Sequence, residues 1–197
     1  MVQKQIILDV PLIAQLPELP RGCEVTSLAM LLHFAGHLVD KMELAERIRK
    51  VPFEKDGLRG NLYDGFVGDM YSFETDGLGV YDAPIADLAR EFLGERVIVL
   101  TGSDWSAVEK QLDNGFPVWV IVNEEFRPLP DSDWQTWSTA RGPLKVTYKE
   151  HAVVITGYDE DFVYFNDPLA PKKNRKEPKS DFLSAWKQFG NQAISYN

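Results

Sequence analysis

The chain has one cysteine, Cys23, in 197 residues. A lone thiol excludes an intramolecular disulfide framework and any multi-cysteine metal site. Histidine is nearly as scarce, with only His33, His37 and His151. No apolar run approaches the roughly 20 residues of a membrane-spanning helix, so no integral membrane contact is expected. The start "MVQKQIILDVPLIAQ" lacks the cleavage pattern of a secretion signal. The chain therefore reads as cytoplasmic if complete, and as extracellular or cell-surface if a signal segment has been removed. Basic residues are also in deficit, 21 against 30 acidic ones, for a net charge of -9. That balance disfavours nucleic acid and anionic membrane surfaces as partners.

Several chemistries lack their motifs. There is no GK[ST] phosphate loop, and the HxxxH spacing of His33 and His37 has no glutamate inside it. Asp159 and Asp161 have no EF-hand spacing around them and read as a solvated acidic turn. Neither a metal nor a cofactor is expected. No repeat, low-complexity segment or linker divides the chain, which reads as a single domain over 1–197.

What is present begins with helices. After Gly22, the positions Val25, Leu28, Ala29, Leu32 and Ala35 recur at helical spacing, with Gly36 as the stop. Asp40 with Glu43 forms a capping-box pattern on a second short helix. Asp82, Pro84 and the face Ile85, Leu88, Ala89 and Phe92 mark a third, before Gly94. "RVIVL", a helix carrying Trp105, Val108 and Leu112, and "PVWVIVN" follow, an order that by itself predicts a parallel strand–helix–strand unit. "HAVVITGY" and "FVYFND" flank Asp159–Asp161 as an antiparallel hairpin. A basic loop over Lys172–Lys179, a helix near Ser180–Phe189 and a strand "QAISY" complete the chain. Helices first and a late antiparallel sheet favour an α+β fold.

Residues 56–82 interleave glycines with Tyr and Phe and keep no period. Such a stretch is either a covering loop pinned by its aromatics or a wall facing substrate. The second reading makes Tyr63, Phe66, Tyr71 and Tyr81 the substrate contacts.

Cys23 opens its helix, where unpaired N–H groups and the helix dipole favour thiolate. The competing reading is a small buried hydrophobe. His33 lies ten residues along the same helix, roughly 15 Å away, and His37 lies beyond its end. His151 remains as the base, at the start of an apolar strand where a polar ring needs a partner or a cleft. With the hairpin centred on Glu160, Asp167 falls opposite Val153 and on the His151 face; a register one residue off would present Asn166 instead. Gln15 and the Cys23 N–H are the donors available to a developing oxyanion.

These pieces resemble a known family. "VPLIAQLPELPRGCEVTSLAMLLHFAG", "GFVGDMY…GLGVYDAPIADLA", "GFPVWVIVN", "EHAVVITGYDEDFVYFNDP" and "FLSAWKQFGNQAISY" are similar, in order, to the C39-like branch of the papain-type cysteine peptidases of bacteria. The resemblance implies a papain-like α+β fold, with a central cysteine helix packed on a twisted antiparallel sheet. It implies Cys23 as nucleophile, His151 as base, Asp167 as the residue orienting the imidazole and Gln15 as oxyanion donor. It also overrules the parallel unit over 97–123. The branch that trims double-glycine leaders is commonly fused to an exporter, of which this chain has no trace, and its glutamine–cysteine spacing is tighter. The expected activity is a thiol peptidase or amidase acting on a peptide or amide-containing substrate. The alternatives are an acyltransferase or deamidase on the same triad, or a catalytically silent domain binding a peptide or cell-wall fragment.

Overall fold

The segment after Gly22 is mostly apolar and keeps no polar face, and a helix of that kind is buried nearly all round. In the computed structural model, which describes residues 5–197, it forms α1 (Cys23–Phe34), with every residue from Cys23 to Leu32 buried. Gly36, in the left-handed region at φ 91°, closes the turn beyond it. The other helices are α2 (Lys41–Arg47), α3 (Asp82–Leu93), α4 (Trp105–Asp113) and α5 (Lys179–Gln188). Asp40 caps α2 by accepting from the Met42 N–H. The reciprocal half of the expected capping box is not made, because Glu43 turns to Arg47.

In chain order the strands are β1 (Ile6–Ile7), β2 (Lys50–Val51), β3 (Glu54–Lys55), β4 (Leu58–Arg59), β5 (Phe66–Val67) and β6 (Val97–Val99). Then come β7 (Val118–Asn123), β8 (Gln135–Thr139), β9 (Gly142–Val146), β10 (Glu150–Tyr158), β11 (Phe162–Asp167), β12 (Lys172–Pro178) and β13 (Ala193–Tyr196). The main sheet runs β12-β11-β10-β7-β13-β6, with β1 added to the far end of β10. All its pairs are antiparallel.

The central strands β7 and β10 read as unbroken apolar runs because both their faces are covered. Trp119, Ile121, Ala152 and Val154 pack into the core shared with α1, α2 and α3. Val118, Val120, Val122, Val153 and Ile155 pack into a second core with α4 and α5. The molecule is an α+β layer structure whose cysteine helix lies against β10, tied there by Ser27 Oγ donating to the Ala152 carbonyl.

Two expectations need correction. Strands β6 and β7 do run in the same direction, but β13 lies between them, antiparallel to both. Their local strand–helix–strand order therefore contains no adjacent parallel pair. The expected basic loop over Lys172–Lys179 is strand β12, paired with β11. Its charges belong to an edge strand, where lysine and arginine are the common protection against further pairing. Residues 135–146 form the β8–β9 hairpin, which no pattern in the sequence marked.

Candidate active site

Residues 15–22 stack tight turns ahead of α1. Leu19 N–H donates to the Gln15 carbonyl, Gly22 N–H to Leu19, and Thr26 N–H to Gly22. Lys41 Nζ holds the Ala14 and Gln15 carbonyls from outside. A Cβ on Gly22 would lie 2.5 Å from Leu19 Cβ. The glycine before the cysteine is therefore a requirement of close approach. Gly22→Ala should cost about 1–3 kcal/mol, read as a melting-temperature drop of several degrees; an unchanged melting temperature would remove the steric argument.

The Gln15 side chain is 2% exposed. Its Nε2 donates to the Pro20 carbonyl at 3.1 Å, while Oε1 is buried without a partner among the described residues. One Nε2 hydrogen remains uncommitted, which is what an oxyanion donor requires. The Gln15 backbone N–H donates to the Pro168 carbonyl, joining this segment to the end of β11.

The hairpin register brings the second group together. Val154 faces Asn166 and Ile155 faces Phe165, which by continuation sets Asp167 across from Val153 and diagonal to His151. His151 Nε2 lies 2.9 Å from Asp167 Oδ1, and each residue is 2% exposed. Oδ1 also accepts from the Leu169 N–H at 3.0 Å and the Ala170 N–H at 3.4 Å, while Oδ2 accepts from Arg175 at 3.0 Å. Burial works to raise the Asp167 pKa, but the hydrogen bonds from His151 and the two N–H groups outweigh it and hold the carboxyl below its ordinary value. An ionised carboxylate only accepts, so the imidazole proton sits on Nε2 and Nδ1 carries the free lone pair. Asn166 is occupied elsewhere. Its Nδ2 donates to the Val10 and Pro11 carbonyls, and its Oδ1 accepts from Asn174.

The thiol is not in the state expected of it. Cys23 Sγ donates to Glu24 Oε2 at 3.3 Å, and not to His151. Burial, followed by the negative charges of Glu24 and Glu150, pushes the thiol well above its ordinary pKa. The helix-terminal activation expected from position alone is overridden by burial, with these two carboxyls adding to it. Sγ and one oxygen of each carboxyl lie within 4.8 Å of one another. Hydrogen bonds from the thiol, from Glu150 and from the Val80 N–H already converge on Glu24.

Cys23, Gln15 and His151 open onto one pocket of about 300 Å³. Its rims carry Phe73, 67% exposed, and Tyr148, 54% exposed. Arg21 fixes the Phe73 side: its guanidinium lies 4.9 Å from the ring centroid and donates to the carbonyls of Asp69, Ser72 and Thr75. The four expected aromatic contacts do not line this pocket. Phe66 is fully buried in β5, Tyr81 is buried with Tyr63 edge-on at 4.9 Å, and Tyr71 donates its hydroxyl to the Ala45 carbonyl. They pin the glycine-rich segment to the core. The segment reaches the pocket instead through Phe73, Gly77 and Leu78.

Sequence reasoning missed Glu24, Glu150 and Arg175. Glu24 had a signal: a charged residue in a helix with no polar face is drawn into the core with it. Glu150, one residue before His151 at the start of an apolar strand, had a weaker one. Arg175 had none, being one of several basic residues in its run.

Residues 7–194 match the model of the Peptidase_C39 like family. YvpB, an uncharacterized protein of Bacillus subtilis strain 168, is 49% identical over 190 residues, covering 95% of this chain and 74% of that protein. A crystal structure assigned to a C39-like peptidase of Bacillus anthracis superposes with a TM-score of 0.97 at 48% identity, covering 98% of each chain.

Proposed function

Because the chain belongs to the Peptidase_C39 like family, we propose that it is a thiol hydrolase that cleaves a peptide or other amide bond through an acyl-thioester on Cys23. The observation that carries this reading is the opening of Cys23, Gln15 and His151 onto one pocket, with Asp167 fixing the imidazole from behind. The free Nδ1 lone pair takes the thiol proton once Sγ turns from Glu24 to the imidazole. Sγ then attacks the carbonyl carbon, and the oxyanion is held by Gln15 Nε2–H and the Cys23 N–H. The imidazolium returns its proton to the departing amine, leaving the thioester. Water adds to the thioester with His151 as base, and the acid leaves as the thiol reforms. Phe73 and Tyr148 supply apolar contact for substrate side chains at the two rims.

The thiol's bond to Glu24 favours a second reading, a catalytically silent domain that holds a peptide in the same pocket. One experiment separates the two. Reduced protein is mixed with a panel of peptide p-nitrophenyl esters and followed by intact mass and nitrophenol release. The hydrolase gives a transient acyl adduct on Cys23 and turnover, both lost in Cys23→Ala. Peptide binding that persists in Cys23→Ala, without an adduct in the wild type, gives the binding domain. Adding an amine nucleophile distinguishes acyl transfer, because the amide product then replaces the free acid.

A further inference from the structure

Consecutive residues of a strand point to opposite faces. Glu150 and His151 open β10 together, and they divide accordingly. His151 turns toward Asp167 and Phe126, on the side of α4 and α5. Glu150 turns toward α1 and meets Glu24. Glu24 is fully buried. Its Oε1 accepts from the Val80 N–H at 2.7 Å, its Oε2 accepts from the Cys23 thiol, and Glu150 hydrogen-bonds to it as well.

Space for this carboxyl pair is built in. Gly79 packs against both groups, and a Cβ there would lie 2.5 Å from Glu24 Oε1 and 2.5 Å from Glu150 Oε2. The backbone at Gly79 needs no positive φ, so the glycine is explained by the carboxyls it touches. Among the described residues no basic side chain pairs with either carboxyl. The titratable and charged groups around them are Cys23 from α1, His151 from β10, Tyr81 ahead of α3, and Glu124 and Arg21 on the pocket wall. Arg21 is committed to backbone carbonyls and the Phe73 ring.

We propose that Glu24 and Glu150 form a carboxyl pair that positions Cys23 and holds it as a protonated thiol in the resting protein. The inference deepens the hydrolase reading and rests on it only for its purpose, since the thiol's protonation can be measured without a substrate. Two buried carboxyls this close retain a shared proton. Glu24, the member next to sulfur, carries the negative charge that accepts S–H. Thiolate formation would set a second anion beside it. The thiol therefore stays protonated until Sγ rotates to the imidazole. Glu24 and Glu150 are positioning residues, acting through Cys23.

The test is alkylation of the full-length chain by iodoacetamide from pH 5.5 to 9.5, with chelator present, followed by intact mass. Only Cys23 can react. Glu24→Gln keeps an acceptor for the Val80 N–H while removing the charge. It should shift the alkylation midpoint down by about one pH unit or more, raising the rate at pH 7 about tenfold. Glu24→Asp keeps the charge and should leave the midpoint high. Glu150→Gln should shift it down by less, and it tests the pair independently if Glu24→Gln fails to fold. Loosened packing alone would raise alkylation at every pH without moving the midpoint, and that result overturns the proposal. A midpoint unchanged in both glutamine variants also overturns it, as does an equal shift in Glu24→Asp. Failure of the hydrolase reading looks different, since absent turnover leaves these midpoints where the carboxyls set them.

Discussion

Asp167→Ala is expected to lower kcat/KM by about 10⁴ on any substrate the protein hydrolyses, with KM little changed. Among the described residues, Asp167 Oδ1 is the only acceptor at His151 Nε2. Without it the imidazole is free to rotate, or to carry its proton on Nδ1, where no lone pair remains for the thiol. Asp167→Asn is expected to cost much less. The Leu169 and Ala170 N–H groups both point at the Oδ1 position, so they select the amide oxygen there and keep an acceptor at Nε2. The amide nitrogen then opposes Arg175 at the Oδ2 position, a donor against a donor. The loss should fall on stability and on imidazolium stabilisation more than on the tautomer. Steady-state kinetics of both variants decide the matter. Equal losses in the two would assign Asp167 a charge role alone, and Asp167→Ala within tenfold of wild type would remove the pair from the mechanism.

The meeting of His151 with Asp167 was read from parity within one hairpin whose turn was centred on Glu160. The turn alone does not set that parity: Asp159 Oδ1 accepts from the Asp161 and Phe162 N–H groups, and beside it Tyr158 faces Val163 and Gly157 faces Tyr164, one residue off the expected register. The bulge between Ile155 and Gly157 lies closer to the turn than either residue. It takes up one residue of β10 and restores the pairing of Val154 with Asn166, so the expected register at Asp167 depends on a bulge that the sequence did not mark. The thiol's environment was not legible in the same way. A helix N-terminus predicts activation from neighbours one turn away. What decides the outcome is the burial of the thiol, then Glu24, whose direction depends on what encloses α1, and Glu150, which arrives from a strand 127 positions later.

The same division runs through the fold. The helices could be placed from spacing and caps because their determinants are local: Gly36 closes α1 and Asp40 caps α2. The insertion of β13 between β6 and β7 could not be seen from either strand, because all three are short apolar runs and pairing order is a property of the whole sheet. Strand β12 was hidden by composition. Lysine and arginine at an edge look like a solvated loop until the ladder to β11 is known. Aromatics in the segment 56–82 failed for a further reason. With no period to assign a face, Phe66 and Phe73 are equivalent in sequence, yet one is fully buried and the other stands at the pocket rim.

Holding two carboxyls beside a buried thiol should also appear in the stability of the protein. Burial raises the Glu24 pKa from an ordinary 4.5 to about 7, against hydrogen bonds that work to lower it, and Glu150 is pushed well above its ordinary range by burial and by the Glu24 charge. A carboxyl whose folded pKa is raised binds more protons in the folded state. Its contribution is fully present below pH 4.5 and is lost as pH rises toward 7. For Glu24 alone the rise corresponds to roughly 3 kcal/mol. Asp167 has the opposite sign. Its lowered pKa gives stability present above the ordinary aspartate range and lost only as pH falls below it. The interval from pH 5 to pH 8 thus isolates the pair from Asp167. Wild-type stability in urea is expected to fall across it, at constant m-value. Glu150→Gln removes the carboxyl whose ionisation is opposed by burial and by the Glu24 charge, and it keeps an N–H donor for the Glu24 carboxylate. The variant should be more stable than wild type at pH 8, and its loss between pH 5 and pH 8 less than half as large. Parallel profiles for the two proteins would mean that the carboxyls do not share their proton, and that the thiol is held by packing alone.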